Sequence, residues 1–142
     1  MREILFRGKS LKDNEWTEGY YCRYGWTGKE KDYIIPDYAS ALWGVEVDSN
    51  TIGQFTGLTD KNGVKIFEGD IVKFKHGGEF DKKIYYRNYA VEFINTYVTY
   101  GLRLRNRSIH FPFKKATALQ HDAEVIGNIY DNPELIGGKN ND

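Results

Sequence analysis

At 142 residues the chain fits one domain, long enough to bury roughly two thirds of its unfolded surface in one core without disulfide or metal staples. Its single cysteine, Cys22, excludes an internal disulfide and fits a reducing compartment, so the cytoplasm is the expected location. No stretch approaches the ~20 apolar residues that span a bilayer, so no membrane partner is expected, and the 20 basic and 20 acidic residues cancel overall.

The first residues carry charge on both sides of the short apolar run Ile4-Leu5-Phe6. That run is far below the ~7 residues of a signal-peptide core, so no targeting segment is expected. Ile4 to Arg7 reads as a first strand, Gly8 to Glu15 as a polar connection and Trp16 to Tyr24 as a second strand, which makes the chain begin with a hairpin. Gly25 to Asp32 is a loop. Tyr33-Ile34-Ile35 is a short strand stopped by Pro36, which has no N–H for a ladder. Between Asp37 and Ser49 the pattern is ambiguous: Tyr38, Leu42 and Val45 have helical spacing, while Gly44 and the alternation Val45-Glu46-Val47-Asp48 favour a strand.

The pattern sharpens from Thr51. Ile52 to Leu58 leads into Asp60-Lys61-Asn62-Gly63, whose Asn-Gly step supplies the positive φ of tight hairpins. Lys65-Ile66-Phe67 is the return arm. Glu68-Gly69-Asp70 is a tight corner before the strand Ile71 to Lys75, and His76-Gly77-Gly78 breaks that strand. Strands are expected over Tyr89 to Ile94, Thr96 to Tyr100 and Leu102 to Ile109, one short helix over Lys114 to Gln120, and a closing strand over Glu124 to Tyr130. Asn132-Pro133 ends it, and residues 137–142 form a polar tail.

Three blocks then stand out in order. They are Phe6-Arg7-Gly8-Lys9 followed by Trp16 and Gly19; Gly53 to Leu58 through Asp60, Asn62-Gly63, Ile66 and Glu68 to Val72; and Val125 to Tyr130 with Asn132 to Leu135. Together they resemble the YopX family, small proteins encoded by bacteriophages and prophages of mainly Gram-positive bacteria. The resemblance spans both ends and the centre, while residues 20–50 and 76–120 carry no part of the pattern. It implies a phage or prophage origin and supplies no catalytic residues to carry over. The motif residues also read structurally, with glycines at corners, Asn62-Gly63 at a turn, and Ile66, Ile71, Val72, Val125 and Ile129 in a core.

The residues give little support to an enzyme. His76, His110 and His121 lie far apart, none has a ligand-spaced partner, and no Cys-x-x-Cys exists, so no zinc site or other metal is expected. Cys22 sits in an aromatic strand and reads as a small apolar thiol. Glu68 and Asp70 flank a Gly corner, where they would accept hydrogen bonds from backbone amides. No phosphate-cradling loop is present, and no cofactor is expected.

Charge is unevenly spread along the chain. Residues 73–115 hold ten Lys or Arg against Glu79, Asp81 and Glu92, a local balance of +7, and the remainder is acidic. Within that window Leu102-Arg103-Leu104-Arg105-Asn106-Arg107 alternates with period two, which in a strand sends the leucines to one face and Arg103, Arg105 and Arg107 to the other. Such arginines stand ~7 Å apart, close to the step between phosphates on a nucleic-acid strand. Lys114 and Lys115 follow, and Tyr97, Tyr100, Phe111 and Phe113 offer stacking surfaces. The competing reading is a solvated strand whose arginines pair with acidic neighbours across the sheet.

The expected architecture is all-β and antiparallel with one short helix: an SH3-like or related small barrel over residues 58–136 and a strand-rich N-terminal part over residues 1–57. The expected role is a non-catalytic binding module, with nucleic acid, or else a second protein or another copy of the chain, as the candidate partner, and an enzyme of unrecognised type as the least favoured class.

Overall fold

The structure, a computed structural model, describes residues 2–38, 43–80, 82–95, 99–104, 110–112 and 116–137. Its strands are β1 (Phe6–Lys9), β2 (Trp16–Tyr24), β3 (Lys31–Pro36), β4 (Val45–Glu46), β5 (Gly53–Thr59), β6 (Lys65–Phe67), β7 (Asp70–His76), β8 (Tyr85–Ile94), β9 (Thr99–Arg103), β10 (His110–Pro112) and β11 (Ala123–Asn128). Two short helices, α1 (Ala116–Asp122) and α2 (Glu134–Gly137), complete it. The fold is therefore mainly β, as the aromatic and β-branched runs require. The chain divides into two compact units, Met1–Phe55 and Thr56–Asp142.

In unit 1 the strand order is β4-β3-β2-β1, with the first residues of β5 beside β1. The expected opening hairpin is present, with Phe6 opposite Gly19 and Lys9 opposite Trp16. The first strand starts at Phe6 rather than Ile4. Ile4 is exposed, while the Leu5 carbonyl accepts from Phe55 N at 2.8 Å, in register with the β1–β5 pairing. The longest pairing is β2 with β3, from Gly19 opposite Pro36 to Tyr24 opposite Lys31. Gly19 is required there by close approach, since a Cβ at that position would lie 2.0 Å from the Ile35 carbonyl oxygen.

The ambiguous stretch resolves as strand at its end. Val45 and Glu46 pair with Ile34 and Tyr33, and Val47 bridges to Ser10. A 3-10 turn at Ser49–Thr51 follows, capped by the Asp48 carboxylate, which accepts from Asn50 N. Leu42, part of the helical alternative, lies outside the described residues.

In unit 2 the rest of β5 and β6 form the Asn62-Gly63 hairpin. Its turn is Asp60 to Gly63, closed by Gly63 N donating to Asp60 O at 3.0 Å, and the positive φ falls on Gly63 alone, at 78°. Asp60, only 3% exposed, fastens the loop. Its Oδ1 accepts from Asn62 N (2.8 Å) and Val64 N (2.9 Å), and its Oδ2 accepts from Val125 N of β11 (2.9 Å). Lys61 N donates to Ala123 O on the same strand. Hydrogen bonds to a charged acceptor contribute about 1.5–3 kcal/mol each, so one carboxylate ties hairpin and strand together.

The corner at Glu68-Gly69-Asp70 is built the same way: buried Asp70 accepts from Phe67 N at 2.7 Å. Asp70 thus serves the turn backbone, as the sequence suggested.

The second sheet has the order β10-β9-β8-β7-β11, all pairs antiparallel. One face presents Val72, Tyr89, Val91, Leu102 and Ala123 to a core completed by Ile66 and by Leu119 of α1. β8 is longer than expected; β9 joins the end of one expected strand to the start of the next through Gly101, and residues 96–98 and 105–109 of those two strands lie outside the described residues. Leu104 leaves the strand but still packs on the core. The C-terminal turn is a polar knot. Asn128 Oδ1 accepts from Tyr130 N and Asp131 N, and Asn132 N donates to Asn128 O. The chain then enters α2 through Pro133.

Candidate anion-binding cleft

The face of the second sheet opposite the core carries a different chemistry. Lys73 stands opposite Asn88 and Lys75 opposite Tyr86 on β8, while Glu124 of β11 lies on the other side of Lys73. Directly opposed residues of an antiparallel pair share a face, so Lys73, Lys75, Tyr86 and Glu124 point the same way. The hairpin fastened by Asp60 brings Lys61 to their edge, with its Nζ 3.4 Å from Glu124 Oε2. The end of α1 adds His121 and Asp122. These seven side chains enclose a cleft of about 290 Å³.

The cleft holds three lysines and a histidine against two carboxylates. One lysine, Lys61, is drawn to Glu124, and Lys73 places its Nζ 4.9 Å from the Tyr86 ring centroid. Ammonium groups carry three donors each and no acceptor, so the site suits an anion whose oxygens can take several hydrogen bonds. Tyr86, 43% exposed, gives it an aromatic wall.

Of the residues singled out in the sequence, Arg103 belongs to the same sheet face. It pairs with Ala90, which pairs with Ile71, two residues from Lys73. Arg103 donates from Nε to Glu92 Oε2 at 2.9 Å, and both side chains are about three-quarters buried. It is thus an internal ion pair, as the competing reading held for such arginines. Arg105, Arg107, Lys114 and Lys115 lie outside the described residues, as does Tyr97.

His76 is half-buried in a ring cluster at the end of β7: it stacks on Tyr85 at 5.0 Å and 13°, and its Nε2 shares a 2.9 Å hydrogen bond with the Tyr89 hydroxyl. Burial, with the Arg87 guanidinium beside it, holds the imidazole below its ordinary value of 6.5, against an opposing pull from Asp122. Burial also pushes the Tyr89 hydroxyl up. Cys22 is half-buried on β2, opposite Tyr33. Among the described residues no three His, Cys, Asp or Glu side chains gather in a way that could hold a metal, and no helix is long and apolar enough to cross a membrane.

The cleft is not legible in the sequence because its parts come from four separated segments. A usable signal existed: Lys73 and Lys75 alternate with the core residues Val72 and Phe74 just as the arginines alternate with leucines further on.

No curated protein matches the chain. Among solved structures, the crystal structure of protein EF1440 from Enterococcus faecalis is similar over 96% of this chain and 99% of its own, with a TM-score of 0.53 and 22% identity. That likeness concerns the fold. The model of the YopX protein family matches residues 5–137, nearly the whole chain and all three motif blocks, and the protein therefore belongs to the YopX family.

Proposed function

We propose that this protein is a non-catalytic binding module, of phage or prophage origin and acting in the host cytoplasm, that holds nucleic acid by its phosphates. The observation that carries the reading is the convergence of Lys61, Lys73, Lys75 and His121 around one cleft, within or beside the segment that holds the chain's excess positive charge. Arg105, Arg107, Lys114 and Lys115 stay in the proposal as further phosphate contacts on the strength of their sequence pattern, and Arg103 as a residue of the same sheet face. The SH3-like barrel also stays as the proposed form of residues 58–136, supported by the Asp60 bonds that join the hairpin to β11.

Phosphate contacts position a protein without reading bases, so sequence preference should be slight. Each contact releases counterions, and log K should fall linearly with log salt. Fluorescence anisotropy of labelled 15-mers at rising KCl measures this. Replacing Lys73 and Lys75 together by alanine should shrink the slope by roughly 1.4–1.8, at ~0.7–0.9 per lost contact. Absence of salt-sensitive binding to any DNA or RNA at low ionic strength removes the reading.

A second partner is favoured by one feature of unit 1. Tyr24 and Trp26 at the end of the β2–β3 hairpin are 55% and 85% exposed, an aromatic tip suited to a second copy of the chain. Sedimentation equilibrium decides it, and a monomer at every concentration rejects it.

A further inference from the structure

We infer that the cleft selects single-stranded over double-stranded nucleic acid, taking one nucleotide with its two flanking phosphates on β7 and its base on the Tyr86 ring. This rests on the phosphate-binding reading above and specifies its ligand. Lys73 and Lys75 are two apart on one strand face, which sets their side chains ~7 Å apart, near the phosphate step of a strand. A backbone lying along β7 would therefore meet one lysine at each of two successive phosphates. Tyr86 is directly across from Lys75 on β8, and opposed residues have Cβ atoms ~4.5–5.5 Å apart. A base hanging from the backbone between the two lysines would reach over that ring, displacing the Lys73 ammonium, now 4.9 Å from its centroid, toward the phosphate.

At about 290 Å³ the cleft lies just below the ~300–1,000 Å³ of small-molecule sites, on the scale of one nucleotide-sized unit. In a duplex the base faces are buried against one another, so Tyr86 would find no partner, whereas an unpaired base of any kind offers a π-face.

The test compares labelled dT15 and rU15 strands with a 15-base-pair duplex, in the intact protein and in Tyr86→Ala and Tyr86→Phe. Base–aromatic stacking contributes ~1–3 kcal/mol per base, so single strands should bind at least about fivefold more tightly than duplex. Tyr86→Ala should remove most of that preference with the salt slope unchanged, and Tyr86→Phe, which keeps the ring, should retain it. Equal binding of strand and duplex overturns the inference and leaves phosphate binding standing. Binding of neither overturns both. Displacement of dT15 by polyglutamate at equal charge overturns it too, because that would make the cleft a general polyanion site. The dT15 and rU15 arms show which sugar the site accepts.

Discussion

The two units reach order by opposite means. Unit 1 is held chiefly by backbone pairing and close approach: its longest contact is the β2–β3 ladder, its buried apolar side chains are few, and Gly19 lets two strands come closer than any side chain allows. Unit 2 gathers a contiguous core and adds buried carboxylates, Asp60 and Asp70, that bind backbone amides of turns. Pairing without a filled core leaves apolar rings in water, and unit 1 exposes Tyr20, Tyr24, Trp26 and Trp43, while unit 2 exposes Phe80, Tyr86 and Phe93. A filled core releases the opposite face of its sheet for charge, and there unit 2 places its lysines. The unit with the better packing carries the cleft, because a site needs walls that do not move.

The sharpest way to break this contrast is a pair of glycine substitutions. Gly19→Ala pushes a methyl group into the backbone of β3 and should cost at least about 3 kcal/mol, beyond the usual ~1–3 for overpacking, since a main chain yields less than a side chain. Gly63 has open space around its would-be Cβ, so only its positive φ resists substitution. Gly63→Val should cost roughly 1–3 kcal/mol, and Gly63→Asn much less, because asparagine tolerates the left-handed region. Denaturant unfolding measures both. All three tryptophans, Trp16, Trp26 and Trp43, lie in unit 1, so their emission follows that unit while amide exchange at β7 and β8 follows the other. A Gly19→Ala protein as stable as its parent would show that backbone proximity does not hold unit 1.

The smallest effect concerns His76. Its folded-state pKa is depressed below 6.5, so the native state prefers the neutral ring. Between the two values the unfolded chain binds more protons, and stability is fully present above pH 6.5 and lost as pH falls through the folded value. A thermal unfolding series from pH 7.5 to 5 should show this loss, with Arg87 disfavouring the proton and Asp122 favouring it. His76→Gln should flatten the profile in that window. An unchanged profile would mean that the ring stack does not discriminate between the two protonation states.

Local chemistry determined what could be read in advance. β2 spans Trp16–Tyr24 as expected because a polar connection and a Gly-rich loop bound it on either side, and the hairpin at Asn62-Gly63 was legible because turn residues act on their immediate neighbours. The boundary expected between Tyr100 and Leu102 is absent, because Gly101 pairs with Glu92 inside one ladder; residues 105–109 of the second expected strand lie outside the described residues. α2 escaped notice because four residues carry no period; Leu135 N donating to Asn132 O and the φ fixed by Pro133 start it. The cleft was illegible for a deeper reason. None of its seven lining residues belongs to the three family blocks. Those blocks build Asp60's loop, the Glu68-Gly69-Asp70 corner and the Asn128 knot, so the residues that identify the family make its scaffold.

The Asp60 bond to Val125 spans 65 residues of chain, and that length has a meaning on the ribosome. At about 5–20 residues per second, roughly 3–13 s pass between the synthesis of the acceptor and that of its donor. During that interval the hairpin can form and β7 can meet β8, yet the edge reserved for β11 has nothing to pair with. An unpaired strand edge is a template for another chain. The Asp60 carboxylate gains its last backbone partner only when Val125 arrives, so this bond closes only after nearly all of unit 2 has been made.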